Sequence, residues 1–392
     1  MSWPSEASAP QTGYPGRHDG CALTIPGMQP EAGWHSETPA QSTRRFVAAC
    51  EASGVDVRSF THPLPDRDGQ PISADVAMFG QADATRLLVV VSGMHGVESL
   101  PGAAIQIGWI ETGGPGDLPE DTAVLMVHQV NPWGCAFRRR FNEDNVDLNR
   151  NFLDFSEPLP LNDKYPSIHE SLVPGGALGD YGERSGEFLG ALVAQEGIEY
   201  VVDLLMAGQH QFSDGFGFGG QTPAWSNRLL EQIMTEHAPG RERVCYLEIH
   251  SGLGPYGYGQ LISLQLGACL ERTRDWFGQW VFNPRADKRP GEAGYREVPG
   301  HSTDAFARYF PDAEVTPVTL EMGTYPPAES LALLLEEHVL CLAGDDAPEE
   351  RLEQVRGLLQ EYHFPADPDW RCANWHRGWQ VIGQAIAGLG NV

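Results

Sequence analysis

In the stretch Leu87-Leu88-Val89-Val90-Val91-Ser92-Gly93-Met94-His95-Gly96-Val97-Glu98, an apolar run is followed directly by side chains that can take part in catalysis or metal binding. The apolar run predicts a buried strand. Far downstream, Val244-Cys245-Tyr246-Leu247-Glu248-Ile249-His250 has the same order of strand and polar group. Because open α/β sheets place their chemistry at the carboxyl ends of parallel strands, we expect the two segments to meet. His95, Glu98 and His250 would then form a His₂Glu set, which is a known ligand set for catalytic zinc.

The pattern around this stretch predicts a single α/β/α domain with a mixed, mainly parallel sheet. Strands are predicted at 55–61, 74–79, 86–92, 123–129, 201–205, 244–249 and 315–321. Helices are predicted at 43–50, 100–112, 185–197, 225–237, 328–343, 348–362 and 374–388. The first of these helices has Ser42 or Thr43 as its expected N-cap.

The chain divides into two expected parts by composition. Residues 1–40 contain many Pro and Gly without periodicity, so we expect an irregular N-terminal arm. Residues 41–392 are expected to form the domain that carries the site. Within that domain, Pro and Gly are frequent at the start of 153–240, which we interpret as an excursion from the sheet that forms a pocket wall.

Charge and cysteine usage exclude several classes of partner. The chain of 392 residues has 26 basic and 53 acidic residues and a formal net charge of −27, which disfavours nucleic acid and anionic membranes as partners. It has neither an apolar signal region in its first twenty residues nor an apolar run long enough to span a membrane. Seven scattered cysteines without C-x-x-C pairs indicate reduced thiols, and we expect a cytoplasmic protein. A homo-oligomer stays compatible with the sequence.

A second group of polar residues follows the predicted strand at 123–129. The segment 138–152 contains three consecutive arginines and then Asp147, Asn149 and Arg150. Arginine suits bidentate capture of a carboxylate, and it can also stabilise developing charge on a carbonyl oxygen. These are the needs of an amide hydrolase whose substrate ends in a carboxylate. Glu321, at the end of another predicted strand, could serve as the general base.

Taken together, these motifs resemble the zinc carboxypeptidase superfamily, which includes the aspartoacylase and succinylglutamate desuccinylase branch. The resemblance rests on H-x-x-E at 95–98, an arginine followed by D-L-N-R-N-F at 147–152, a strand-borne H-S at 250–251 and the strand-ending Glu321. It spans about residues 87–325. The sequence looks most like a carboxypeptidase-like branch of uncharacterised bacterial proteins.

The resemblance implies a zinc-dependent exopeptidase architecture with one Zn²⁺ per chain. It implies the following roles: His95, Glu98 and His250 as zinc ligands, Glu321 as general base, Arg140 as the group that polarises the scissile carbonyl and stabilises the oxyanion, Asn149 and Arg150 as the clamp on the substrate carboxylate, and Asp147 as the partner behind His95. The family's substrate-covering tyrosine could be Tyr256, Tyr258, Tyr295 or Tyr325. The resemblance gives Arg138 and Arg139 no role, and a basic rim is one interpretation of them.

The implied function is that of a metallocarboxypeptidase-like hydrolase that cleaves an amide bond in a small peptide or similar carboxylate-bearing substrate. An N-acyl amino acid deacylase of the aspartoacylase type is one alternative, since it also needs a carboxylate clamp. A catalytically silent binding protein is another. His128 is expected to be a hydrogen-bonded core histidine, whereas His210 and His301 stay open between core and site.

Overall fold

A mixed sheet lies at the centre of the protein. In the residues described by this computed structural model, 33–173, 181–287 and 298–391, the sheet has seven strands. They are β1 (Val57–Thr61), β2 (Ser73–Phe79), β3 (Arg86–Ser92), β4 (Thr122–His128), β5 (Arg243–Gly252), β6 (Gly259–Ile262) and β7 (Glu314–Gly323). Their spatial order is β1-β2-β4-β3-β5-β7-β6.

The strands at the centre of this sheet are parallel. β3 pairs in parallel with β4 and β5, and β5 pairs in parallel with β7, whereas β1, β2 and β6 join their neighbours antiparallel at the two sides. From Leu87 to Ser92, and along the whole of β4, the residues are buried, as expected for strands covered on both faces. The predicted mixed sheet with a parallel core is therefore confirmed.

Helices cover both faces of the sheet. They are α1 (Pro39–Ala52), α2 (Ser99–Glu111), α3 (Pro132–Phe137), α4 (Pro166–Leu172), α5 (Tyr181–Glu196), α6 (Ile198–Met206), α7 (Trp225–His237), α8 (Ala268–Phe277), α9 (Ser302–Ala305), α10 (Pro327–Leu342), α11 (Glu349–His363) and α12 (Pro368–Gly390). Val89 and Val91 share a core with Leu230 of α7. Ser92 points to the other face, where Gly102 of α2 packs against it. The α/β/α arrangement follows.

Two predicted elements differ from the structure. The strand predicted at 201–205 is wrong, because these residues lie in helix α6. Val201, Leu204 and Leu205 are buried together there at the i, i+3, i+4 spacing of one helical face, and the short apolar run concealed that periodicity. Helix α1 begins at Pro39, and its N-cap is Thr38, whose hydroxyl accepts the Gln41 N–H, instead of Ser42 or Thr43. The sequence also gives no prediction for β6 or for the helices α3, α4, α8 and α9.

Some expectations fall on residues that lie outside the described ones. These are residues 1–32 of the expected N-terminal arm, together with Tyr295. In the described part of the chain, Cys50, Cys135, Cys245, Cys269, Cys341 and Cys372 are free thiols. The described helices include none with the length and apolar character that a bilayer crossing requires.

His128 ends strand β4 inside the core, as expected. Its Nδ1 lies 2.8 Å from Oε1 of Gln106, and its Nε2 lies 3.3 Å from Oγ of Ser42. The ring stacks on Phe46 with a centroid distance of 4.4 Å. Burial lowers the pKa of His128 from 6.5 to about 3, so the folded protein holds a neutral ring at neutral pH.

This buried histidine makes stability depend on pH. Below pH 6.5 the unfolded chain protonates His128, whereas the folded protein does not do so until about pH 3. The residue's contribution to stability is therefore lost as the pH falls, by roughly 2 kcal/mol at pH 5. In urea denaturation at both pH values, we expect His128→Asn to narrow the difference between the unfolding free energies at pH 7 and pH 5 by about this amount. An unchanged difference would contradict the assignment.

Candidate metal centre

Two strand ends bring the predicted ligands together. His95 follows β3 and precedes a single 3₁₀ turn, Gly96–Glu98, which turns Glu98 back toward His95. The turn fits closely against the start of α3, since a Cβ on Gly96 would lie 1.9 Å from the carbonyl carbon of Gly134. Glycine at 96 is thus needed for backbone packing beside the site. His250 is supplied by the neighbouring strand β5.

The three side chains form a buried cluster that could hold a metal ion. Nδ1 of His95 lies 3.0 Å from Oε1 of Glu98, and Nδ1 of His250 lies 2.8 Å from Oε2 of Glu98. One ligand atom from each residue falls within 4.8 Å of the others. Although burial opposes ionisation, His95 and His250 hold the pKa of Glu98 well below its usual range. The carboxylate is therefore ready to bind a cation.

The far nitrogen of each histidine ring faces a carboxylate. Nε2 of His95 lies 3.3 Å from Oδ1 of Asp147, and Nε2 of His250 is hydrogen-bonded to Glu248. A carboxylate can only accept, so without a cation both nitrogens of each ring face an acceptor, Nδ1 toward Glu98 and Nε2 toward Asp147 or Glu248. A metal ion in place of the two Nδ1 protons would leave neutral rings, with Nε2–H held by Asp147 and Glu248 and the Nδ1 lone pairs free to bind the ion. Neutral imidazoles with Nδ1 lone pairs and a carboxylate suit zinc, whose roughly 2.0–2.2 Å bonds bring N and O ligands this close. The residues present therefore fit zinc.

Glu248 is a site residue that the sequence reading missed. It is fully buried, and it accepts hydrogen bonds from the hydroxyls of Tyr246 and Ser302 and from the amide of Asn149, as well as from His250. The signal was present in the strand pattern. Residues two apart on a strand share a face, so Glu248 had to lie beside His250.

Glu321 lies next to the cluster on strand β7. It is directly opposite His250 in the β5–β7 pairing, and its Oε1 accepts the backbone N–H of Leu253 at 3.0 Å. Within the described part of the chain, its Oε2 makes no hydrogen bond. Burial raises the pKa of Glu321 to about 7. A carboxylate with a pKa near neutrality suits proton transfer.

Arg140 contacts both Glu98 and Asp147. Its Nε donates to Oδ2 of Asp147 at 3.1 Å, and its Nη1 donates to Oε1 of Glu98 at 3.2 Å. Although burial opposes ionisation, Arg140 and Arg150 hold the pKa of Asp147 well below its usual range. Asp147 thus links the guanidinium of Arg140 to the ring of His95.

Asn149 and Arg150 lie at the site, but their side chains are hydrogen-bonded to other residues of the protein. The Asn149 amide donates to Oε1 of Glu248 at 2.6 Å, and its Oδ1 accepts the backbone N–H of Ser302 at 3.2 Å. Arg150 donates to the carbonyl oxygen of Met206 through Nε at 3.1 Å and to its own neighbour Asn149 through Nη1 at 2.9 Å. Asn149 is therefore held by Glu248, the carboxylate that also accepts from His250. Arg150 is held by the carbonyl at the end of α6.

A cavity of about 270 Å³ opens beside the cluster. Its lining includes the predicted site residues His95, Glu98, Arg140, Asn149, Arg150, His250 and Glu321, then His301, Tyr362 and His363, and apolar side chains such as Val202, Met206, Leu331 and Leu334. Among the described residues, Tyr362 is the tyrosine of this lining, whereas the candidates Tyr256, Tyr258 and Tyr325 lie outside it. Helix α6, from the predicted excursion at 153–240, contributes to the wall.

The interpretation of Arg138 and Arg139 as a basic rim is wrong for Arg139. This side chain is buried, and its Nε lies 3.1 Å from Oε1 of Glu337 on α10. Arg356 of α11 contacts the same carboxylate at 3.2 Å. Arg138 pairs with the partly exposed Glu353. A buried arginine needs such a partner, so Arg139 serves to join the loop before the site to α10 and α11.

The support of His250 by Glu248 can be tested through zinc affinity. We expect Glu248→Gln to weaken zinc binding about 10- to 100-fold, because a neutral amide oxygen is a weaker acceptor for the Nε2 proton than a carboxylate and leaves the His250 ring a less basic ligand. Competition with a chelating dye measures the affinity. Asp75→Asn is the matched control, since Asp75 is also a buried carboxylate but lies on β2, outside the cavity lining. Equal zinc affinity in the two variants would refute the role of Glu248.

Several solved structures are similar to this chain. Carboxypeptidase A from Helicoverpa armigera has 14% identity and a TM-score of 0.49, over 90% of this chain and 73% of that one. Succinylglutamate desuccinylase from Chromobacterium violaceum has 13% identity and a TM-score of 0.33, over 82% and 74%. Murein-tripeptide amidase MpaA from Escherichia coli O157 has 14% identity and a TM-score of 0.32, over 79% and 93%.

No curated protein matches the chain in sequence. One protein family does match, over residues 35–377, and its description is "Protein of unknown function (DUF2817)". The match includes every residue of the candidate metal centre. The chain belongs to the DUF2817 family.

Proposed function

We propose that this protein is a zinc-dependent hydrolase that cleaves an amide bond in a small substrate bearing a carboxylate. The observation that carries the proposal is the position of Glu321. It is buried beside the His95, Glu98 and His250 cluster, on the cavity, with one oxygen held by Leu253. A fixed carboxylate beside a candidate metal site has the geometry of a general base.

The proposed chemistry divides between the metal and the side chains. Zinc held by His95, Glu98 and His250 would supply a Lewis acid that polarises a carbonyl and makes water more acidic. Glu321 takes a proton from the attacking water and delivers it to the leaving nitrogen. The guanidinium of Arg140 donates to the carbonyl oxygen as negative charge develops there.

The remaining predicted residues act on orientation. We propose that Arg150, on the cavity wall, attracts the substrate carboxylate. Asn149 was expected to share this role, but its amide donates to Glu248, so we propose that it acts by holding the Glu248–His250 pair. Asp147 holds His95 and Arg140 in the same way.

The cavity walls favour a substrate with an apolar portion. Val202 and Met206 of α6 lie in the lining together with Leu331 and Leu334 of α10. This apolar wall supports two substrate classes of the same chemistry, since it would fit a peptide side chain or the acyl chain of an N-acyl amino acid. The metallopeptidase and the deacylase therefore both stay as proposals.

The role of Glu321 predicts the behaviour of one variant. We expect Glu321→Gln to lower kcat about 10²- to 10⁴-fold, because the amide cannot accept the proton, while one zinc per chain is retained. Metal analysis and turnover on the same preparation measure both quantities. Asp75→Asn again serves as the buried-carboxylate control. Full activity in Glu321→Gln would rule out the mechanism.

The pH profile provides a second test of the same residue. Glu321 acts as a base only when it is ionised, and burial raises its pKa to about 7. The rate should therefore rise with pH, and its midpoint should lie at or below about 7, because a bound cation favours the carboxylate form.

A substrate panel separates the proposed functions. Dipeptides with a free C-terminus and N-acyl amino acids, each with apolar and charged side chains, are incubated with the zinc-loaded protein and analysed by mass spectrometry. Cleavage of the dipeptides favours a metallopeptidase, and cleavage of the N-acyl amino acids favours a deacylase. If the panel compounds bind but no metal-loaded preparation cleaves them, the result favours the catalytically silent binding protein.

A further inference from the structure

His301 lies on the cavity with its protonation pattern fixed by its own neighbours. It directly precedes α9, and its Nδ1 accepts the backbone N–H of Thr303 at 3.3 Å and lies 2.8 Å from the Thr303 hydroxyl oxygen. A backbone N–H can only donate, so Nδ1 carries no proton. The proton of the neutral ring is therefore on Nε2.

This Nε2–H is a donor directed away from Thr303. Among the described residues it has no acceptor, and His301 is part of the cavity lining. Burial lowers the pKa of His301 to about 3. The negative charge of Glu248 opposes this shift, and the positive charge of Arg150 adds to it. The ring is therefore neutral at physiological pH. A partly buried donor without an acceptor is unfavourable unless water or a ligand accepts its hydrogen bond.

The backbone on both sides of His301 holds it beside the predicted carboxylate clamp. Gly300 packs directly on Arg150, where a Cβ would lie 2.4 Å from the Arg150 carbonyl oxygen. On the other side, the Ser302 N–H donates to Oδ1 of Asn149. The Gly300 carbonyl also accepts the N–H of Phe152 at 3.0 Å. The neighbours of His301 are thus fixed against Asn149 and Arg150, and all three residues line the cavity.

We propose that His301 is a specificity-determining residue whose Nε2–H donates to a carboxylate of the substrate beside Arg150. This assignment rests on the proposed function and adds to it the donor that Asn149, bonded to Glu248, does not supply. A carboxylate oxygen is a stronger acceptor than an amide or hydroxyl oxygen. A neutral N–H also adds a hydrogen bond without placing another positive charge beside Arg150 and a metal ion.

Two substitutions separate substrate binding from the local structural role. His301→Asn keeps an acceptor for the Thr303 N–H, since Asn is a favourable N-cap, but it lacks a donor at the distance of Nε2. His301→Gln has an amide N–H that reaches about as far as Nε2. A purely structural role predicts that the Asn variant behaves like the unchanged protein. If His301 donates to a carboxylate, the Gln variant should instead behave like the unchanged protein, and the Asn variant should not.

Binding is measured in a background that does not turn over. N-acetyl-L-leucine and its carboxamide are titrated calorimetrically into zinc-loaded Glu321→Gln, alone and combined with each His301 substitution. We expect the carboxylate to bind more tightly than the carboxamide, and we expect His301→Asn to reduce this preference roughly 10- to 100-fold while His301→Gln largely restores it. Repeating the titrations without zinc checks that the change does not come from coordination of the ion.

Nitrogen NMR of the imidazole ring gives an independent readout. The ring of His301 should show a protonated Nε2 and an unprotonated Nδ1, and the Nε2–H resonance should move on addition of N-acetyl-L-leucine but not of its carboxamide. Absent or equal binding of the two probes, or an unchanged preference in His301→Asn, would overturn the proposal. Because no turnover is measured, failure of the proposed hydrolase activity would leave this test intact.

Discussion

The pairing of His95 and His250 with buried carboxylates is the interaction on which the candidate site depends. Asp147 and Glu248 turn the Nε2 atoms of His95 and His250 outward and leave both Nδ1 atoms facing Glu98. Several carboxylates in so small a buried volume repel one another unless cations and donors offset their charge. Arg140 and the hydroxyls around Glu248 supply that compensation, and a divalent ion would complete it.

The parts of the fold that were predictable from sequence are those with strong local signals. β3, β4 and β5 are long apolar runs, and α7 has clear helical periodicity, so their types and approximate bounds follow from the residues alone. The run at 201–205 is too short for that argument. Its β-branched residues favour a strand, and only packing against the α10 and α11 side of the core selects the helix.

The candidate site divides in the same way. His95, Glu98, His250 and Glu321 were recognisable because each lies at or just past the carboxyl end of a predicted strand, and these ends converge in a parallel sheet. The partners of each polar side chain were not predictable. Asn149 donates to Glu248, which lies about 100 positions away in the sequence. Arg139 is buried against Glu337, which lies about 200 positions away. Neither spacing nor composition contains that information.

The pairing of β5 with β7 has a consequence for how the site could change over evolution. His250 and Glu321 face each other because the hydrogen bonds of two central strands set their register. Insertion or deletion of one residue in either strand would send every later side chain to the opposite face of the sheet. The distance between His250 and Glu321 is therefore protected from gradual drift. The walls made by α6 and α10 lie outside the sheet, so the side chains that line the cavity there can change while His250 and Glu321 keep their positions.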